Sequence, residues 1–450
     1  MPKSSDYTLV FLTPMVKKDV YDKSTHKVLL VSGMQWGDEG KGKVVSDLSK
    51  EADVLARYNG GHNSGHDVVL NGVQYKLHLL PCGSMHENTK IVLGNGVVIN
   101  IENLLKEVDI LAQNGISLLD RLYISERAHL IFNIHAEIDC KQESDLSKKY
   151  GEIGTTKKGI GPSYSTKSLR TGIMIGEMLH WETFSELVHR LMHSCTTNNP
   201  DQLAEKELAR HKEMFKKIEH CIVDTSFLIT KAVENGQKVF FEGANGVLLD
   251  LSLGTYPYVT SSNTTTSGIY NGLGISPSIP VFRIGVLKAY QTRIGSGPFP
   301  TELFGEVYDK LQTTGMEVGV TSGRKRRCGW LDLVSVRYAQ LTNGFNVINL
   351  TKLDIMSIFD TIKVCVDYKH SKTGAILPRG SFPATSFQFS QYEPVYKEFP
   401  GWRTDLSEIT KFEDLPAEAK AYVEFIENDL GVWIQWIGVG KDTKKTIVRT

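Results

Sequence analysis

Neither sign of charge prevails in this 450-residue chain: 51 Lys and Arg stand against 51 Asp and Glu. That balance argues against non-specific binding to nucleic acid or an anionic membrane, though it leaves room for one local basic pocket. Apolar runs of membrane-spanning length are missing too. Cysteine is sparse and scattered. Cys82, Cys140, Cys195, Cys221, Cys328 and Cys365 form no CxxC pair, so neither a disulfide framework nor a structural zinc site is expected. Reduced thiols in a cytoplasmic enzyme fit this usage. Residues 1–26 contain no arginine, include acidic side chains and lack the ordered regions of a signal peptide. They read as an N-terminal extension. Residues 27–450 show no internal repeat and no long biased linker, and read as one catalytic domain. Hydrophobic content of 41% and charged content of 23% suit a soluble protein with a large core.

Glycine beside basic residues is what the chain does have. The apolar run Val28–Val31 reads as a buried strand, and Gly33-Met-Gln-Trp-Gly-Asp-Glu-Gly-Lys-Gly-Lys43 follows it. Four glycines, two lysines and one Asp-Glu pair fall within those eleven residues. Glycine lets main-chain N–H groups approach an anion, lysine adds positive charge, and the helical pattern of Val44–Leu48 places a helix N-terminus there. The segment is built to hold a polyphosphate beside a carboxylate. It departs from a Walker A loop, since Gln35 stands where the first Gly belongs and Gly42 where the Ser or Thr belongs. The magnesium ligand usually drawn from that hydroxyl must come from elsewhere, and Asp38 is the candidate.

Apolar runs alternate with helical patterns. Runs at Val28–Val31, Ile91–Leu93, Leu122–Ile124, Val239–Phe241, Phe282–Val286, Val347–Leu350 and Ile362–Val366 read as strands. Ile101–Asn114, Trp181–Cys195, Asp201–Asn235 and Ala417–Asn428 read as helices. The alternation predicts an α/β fold, with a large mostly parallel central sheet flanked by helices and with helical and loop subdomains. The helical block 177–235 is expected to project over one edge. Tyr150–Thr171, rich in Gly, Thr, Ser and Lys, reads as a functional loop.

Three further strings carry chemistry. In Arg57-Tyr-Asn-Gly-Gly-His-Asn-Ser-Gly-His66, His62 and His66 have the spacing of a helical zinc pair. The glycines and asparagine around them disfavour the helix that such a pair needs. A loop histidine facing a ligand suits general acid work instead. Thr351-Lys-Leu-Asp354 follows an apolar run and resembles the base-reading motif of GTP-binding proteins, with Thr for the usual Asn. A carboxylate at Asp354 accepts from guanine N1–H and the 2-amino group, a donor pair that adenine lacks. The Lys352 stem can pack along the ring. Val320-Thr-Ser-Gly-Arg-Lys-Arg-Arg-Cys-Gly-Trp330 reads either as a solvated basic patch or as a hinged arginine loop that clamps a dicarboxylate.

Together these strings resemble the adenylosuccinate synthetase family from about Lys27 to Thr450. The resemblance implies a fold related to P-loop GTPases and a homodimer. It implies ligation of L-aspartate to IMP with GTP and Mg2+, the first committed step from IMP to AMP. It also implies Asp38 as general base, His66 as general acid and Asn245 near O6. By the same resemblance GTP is contacted by Gly37, Glu39, Gly40, Lys41, Gly42 and Lys43. Gly65, Asp67, Arg326, Lys352, Leu353 and Asp354 are further GTP contacts, as is the loop of Gly438, Val439 and Gly440. IMP falls to Asp38, Lys41, Asn63, His66, Thr156, Arg170, Asn245, Thr260 and Arg324, with Arg170 reaching across from a second subunit. Aspartate falls to Val320, Thr321, Ser322, Gly323, Arg324 and Arg326, and the metal to Asp38 and the Gly65 carbonyl. Four positions depart from the bacterial pattern: Asp67 replaces Thr, Asn245 replaces Gln, Gly438 replaces Ser, and Lys441 replaces Pro. A regulatory GTP switch is the rival from another class. It would not need Asp38, His66 and the arginine loop together.

Overall fold

The computed structural model describes residues 16–70, 73–149, 151–319, 323–442 and 444–450; for 66–70, 73–74 and 149 the backbone alone is described. Its centre is a ten-stranded sheet. In chain order the strands are β1 Val28–Gly33, β2 Val54–Arg57, β3 Lys90–Leu93, β4 Leu122–Ser125 and β5 Ile222–Val223, then β6 Val239–Gly246, β7 Phe282–Lys288, β8 Val347–Thr351, β9 Trp433–Gly438 and β10 Thr446–Val448. They lie side by side in the order β10-β9-β8-β7-β1-β6-β2-β3-β4-β5. The pairings among β1 to β9 are parallel, and β10 alone runs against its neighbour.

Parallel strands are covered on both faces, which is why they read as continuous apolar runs. Alternate residues of one strand feed different cores. Leu29 and Val31 of β1 join Leu55, Ile91 and Leu93 in one cluster, while Val28 and Leu30 join Val54, Ala56 and Val92 in another. A third cluster under β8 and β9 packs Ile348, Leu350, Ile434 and Ile437 against the helix Ala417–Leu430. Because the strands are parallel, their carboxyl ends share one rim of the sheet, where open α/β sheets bind ligands.

The helix Trp181–Cys195 has the expected bounds. It packs on Pro200–Ile218, which in turn contacts Ile101–Gln113, beside the edge strand β5. Two readings are corrected, and a third, a strand as expected, proves to lie outside the central sheet. The expected helix 201–235 is two helices, Pro200–Ile218 and Thr225–Glu234, parted by a turn and β5. Asp224 caps the second, accepting from the N–H groups of Ser226 and Phe227. The expected loop 150–171 contains the helix Ile160–Leu169. The run at 362–366 belongs to the strand Thr361–His370 of a separate three-stranded sheet with Leu331–Asp332 and Tyr392–Pro400.

Part of the 1–26 segment lies against the sheet. The Tyr21 N–H donates to Gln435 at 2.8 Å, and the Lys18 ammonium sits 4.3 Å from the Trp433 ring centre.

Candidate active site

A cleft of about 850 Å³ runs along the carboxyl ends of the strands. The loop from β1 forms its floor and leads into the helix Lys41–Leu48, whose N-terminus is Gly40 at φ 87°. Glu39 is fully buried beneath this loop. It accepts from the N–H groups of Gln35 at 3.0 Å and Gly37 at 2.9 Å, and pairs with the Lys41 ammonium at 2.7 Å. Only the main chain of Glu39 is left for a ligand. Gly33 is required for this fold of the loop, since a Cβ there would stand 2.1 Å from the Glu39 carboxylate. Gln35, the departure from the Walker pattern, is a staple. Its amide donates to the carbonyls of Lys288 and Tyr290 and accepts from the Lys288 N–H, which fixes the loop to the end of β7.

Asp38 sits in the left-handed region at φ 59° and lines the cleft, with its carboxylate held by Arg326 Nε at 2.7 Å. Arg326 also donates to Glu317 at 2.7 Å. Burial opposes its charge, but Asp38 and Glu317 outweigh that and hold the guanidinium pKa above its ordinary value. Non-glycine residues at positive φ are uncommon, and Asp38, Arg170, Asn245 and Lys352 are all in that conformation.

The guanine-type motif ends β8. Thr351 donates to the Glu39 carbonyl at 2.6 Å, so the residue replacing the usual Asn braces the glycine-rich loop. Asp354 lines the cleft and is half-buried. Burial raises its carboxyl pKa, with Lys352 and Lys43 pulling the other way. Leu353 is a core residue whose N–H bonds the Gly438 carbonyl, and Val439 is likewise fully buried, so both offer main chain only. Lys43 donates to the carbonyls of Gly440 and Lys445, tying the loop after β9 to the phosphate-type loop. Gly42, Gly438 and Gly440 also line the cleft.

The loop after β2 is pinned from beneath. Arg57 is fully buried, and its five guanidinium N–H groups meet the carbonyls of Asn59, Gly61, His78 and Leu79 and the Ser64 hydroxyl. Asn63 and Gly65 of that loop line the cleft. His62 is buried, its pKa pushed down to about 3 by burial and nearby positive charge. Loop and strand occupy this stretch instead of a helix, and no metal-holding group of three His, Cys, Asp or Glu occurs among the described residues. His66 and Asp67 open the strand His66–Leu70, of which the backbone is described.

Thr156, Asn245, Thr260 and Arg324 line the other side of the cleft, where Arg324 donates to the Gly154 carbonyl at 3.0 Å. Gly323, at φ 64°, bonds back to Gly319 at the base of the arginine loop. Val320, Thr321 and Ser322 lie outside the described residues. Arg170 does not line this cleft. It caps the helix Ile160–Leu169 and is exposed beside the exposed Leu169.

Sequence reasoning missed Gln35, Arg57, Lys288, Tyr290 and Glu317. Gln35 touches residues 253 and 255 positions away, and Lys288, Tyr290 and Glu317 meet one another and Lys352 across the sheet. Arg57 binds the loop that follows it. None of these roles is marked by a local pattern.

Comparison with known proteins agrees with this architecture. The adenylosuccinate synthetase family model matches residues 30–447. The adenylosuccinate synthetase of Theileria parva is 58% identical over 431 residues, covering 94% of this chain and 99% of that one. That of Babesia bovis is 50% identical over 436 residues, covering 97% and 100%. The solved structure of fully ligated adenylosuccinate synthetase from Plasmodium falciparum matches with a TM-score of 0.90 at 44% identity, covering 94% of this chain and 100% of that one. The chain belongs to the adenylosuccinate synthetase family.

Proposed function

We propose that this protein joins L-aspartate to IMP by way of a 6-phosphoryl-IMP intermediate, releasing GDP and phosphate. The observation that carries this reading is the gathering in one cleft of an anion-binding glycine loop, a guanine-type carboxylate at Asp354 and the Arg326-held Asp38. Asp38 removes the N1 proton of IMP, which makes O6 nucleophilic. O6 attacks the γ-phosphorus of GTP and GDP departs. The aspartate amine then attacks C6, and the C6–O6 bond breaks with phosphate as the leaving group. His66 hydrogen-bonds O6 and protonates it as it leaves. One carboxylate and one imidazole thus divide the base and acid tasks. Lys41, Lys43 and the loop N–H groups hold the triphosphate, so the transfer is mainly positioning and charge neutralisation.

The donor set fits Mg2+. The Asp38 carboxylate and the Gly65 carbonyl are hard oxygen donors on the same cleft, and magnesium commonly takes few protein ligands. When bound, the ion neutralises charge on the phosphates. Arg324, Arg326 and loop 320–323 take the aspartate carboxylates. Arg170, exposed and outside its own cleft, serves the IMP site of a second copy in a homodimer. No described helix is long and apolar enough to cross a membrane, and the expected setting is the cytoplasm.

The test supplies GTP, IMP, Mg2+ and aspartate to purified protein. Phosphate release should require both IMP and aspartate, with a shift in the near-ultraviolet purine spectrum. GTP hydrolysis without IMP would favour a regulatory switch.

A further inference from the structure

Glu317 is a buried charge that the mechanism leaves unused. Its carboxylate is fully buried and accepts from the hydroxyl of Tyr290 at 2.5 Å, Lys352 Nζ at 2.5 Å, Lys288 Nζ at 3.2 Å and Arg326 Nη1 at 2.7 Å. These donors come from the ends of β7 and β8 and from the arginine loop. Lys352 bonds the Gly315 carbonyl as well, and Arg326 reaches onward to Asp38. Met316, just before Glu317, is held at φ 50°, as Asp38 and Lys352 are at φ 59° and 58°. Two strained backbone positions, Met316 and Lys352, therefore adjoin or touch one carboxylate, and a third, Asp38, is linked to it through Arg326. Such strain persists only where the surroundings over-determine it.

The charges decide what the cluster does. Three cations, Lys288, Lys352 and Arg326, share two carboxylates, Glu317 and Asp38. Lys352 and Arg326 of this cluster line the cleft, together with Asp38 and with Asp354, whose carboxyl also feels Lys352. Burial opposes the Glu317 charge, yet the three cations hold its pKa well below the usual carboxylate range. Burial pushes Lys288 down to about 8, with Glu317 and Asp38 pulling the other way.

We propose that Glu317 is a positioning residue for the GTP-dependent step, anchoring with one buried carboxylate both the lysine at the guanine site and the arginine that holds Asp38. It fixes the Lys352 head so that the lysine stem lies along the base site. It also gives Arg326 a second anchor, from which the guanidinium can leave Asp38 when substrates arrive without leaving the cleft. The proposal rests on the reading of this cleft as the GTP site.

The test titrates full-length wild type and Glu317→Gln with a non-hydrolysable GTP analogue in the presence of IMP and Mg2+, and measures turnover alongside. In a folded Glu317→Gln protein, analogue affinity should fall about 10- to 100-fold, and kcat should fall as well, with IMP affinity unchanged. In a Lys352→Met background the same change should cost under about threefold in analogue affinity, because part of what Glu317 holds is already gone. A merely structural carboxylate would give the same loss in both backgrounds, and that result overturns the proposal. So does analogue affinity of Glu317→Gln within about threefold of wild type. Should Glu317→Gln fail to fold, Tyr290→Phe removes one bond to the carboxylate without changing charge. It should raise KM for GTP about threefold with IMP affinity kept, and an unchanged KM would refute the role. If wild type itself binds no analogue, the functional reading fails, independently of Glu317.

Discussion

The two sides of the cleft are built differently. On the side assigned to GTP, charged groups are already paired: Lys41 with Glu39, Arg326 with Asp38 and Glu317, Lys352 with Glu317. On the side assigned to IMP, Asn245 Oδ1 is buried without a partner among the described residues, as is Oγ1 of Thr155, the cleft-lining neighbour of Thr156. A buried polar atom without a partner costs stability, and a ligand that bonds it recovers that cost. The paired side must exchange protein ion pairs for ligand contacts. The other side only gains them. Substitutions on the first side should therefore disturb chemistry and fold together, while substitutions on the second should disturb ligand use alone.

The largest effect is expected at Asp38, where the paired side meets the reaction. Asp38→Asn should lower kcat by about 10²- to 10⁴-fold and, by breaking the ion pair with Arg326, lower the unfolding midpoint as well, read by steady-state rates and denaturant unfolding. Turnover near wild type would remove the general-base assignment. Next comes Asp354→Ala, which deletes the carboxylate expected to meet guanine N1–H and the 2-amino group. KM for GTP should rise about 10- to 100-fold, and the preference for GTP over inosine triphosphate should shrink. Preference unchanged from wild type would place base recognition elsewhere.

Asn245→Gly tests the unpaired side. Glycine accepts the φ of 65° found there without strain, and the amide oxygen it removes has no described partner. KM for IMP should rise by roughly tenfold while unfolding free energy stays within about 0.5 kcal/mol. A large loss of stability would erase the contrast between the two sides.

The smallest effect concerns pH. Burial pushes Lys43 down to about 8, against the pull of Asp354, Asp442 and Asp47. Above that pH the ligand-free protein loses a positive charge, so KM for GTP should rise several-fold between pH 7 and about 9. The stability sign is opposite. The folded value lies below the unfolded value of about 10.4, so the folded state sheds this proton first and the group adds stability as pH rises through that window. Lys43→Arg keeps its charge there, and a KM rise of equal size in that variant would assign the limb to another group.

Much of this was legible because local patterns set it. Trp181–Cys195 shows its helical period openly, and β1 followed by a glycine-rich turn reads directly as a strand and an anion loop. The helix Ile160–Leu169 was missed because Ser, Thr, Gly and Pro lower local propensity. Its support is tertiary, with the Tyr164 hydroxyl bonded to the Gly96 carbonyl at 2.6 Å. Residues 201–235 hid their break because both helices are apolar on one face, although Asp224-Thr-Ser is a capping signal that could have been read. Asp38, Lys352 and Asp354 were found through motifs. Glu317 was not, since its partners at 288, 290, 326 and 352 meet only when β7 and β8 are laid side by side. Asp38 was expected to face metal and substrate; that it is held by Arg326 in the meantime is a property of the fold.

The central claim is that O6 of IMP leaves as part of phosphate. IMP labelled with ¹⁸O at position 6, turned over with GTP, aspartate and Mg2+, tests it directly by mass spectrometry of the inorganic phosphate. The label should appear in phosphate with every turnover. Label recovered in water, with unlabelled phosphate, would contradict the account.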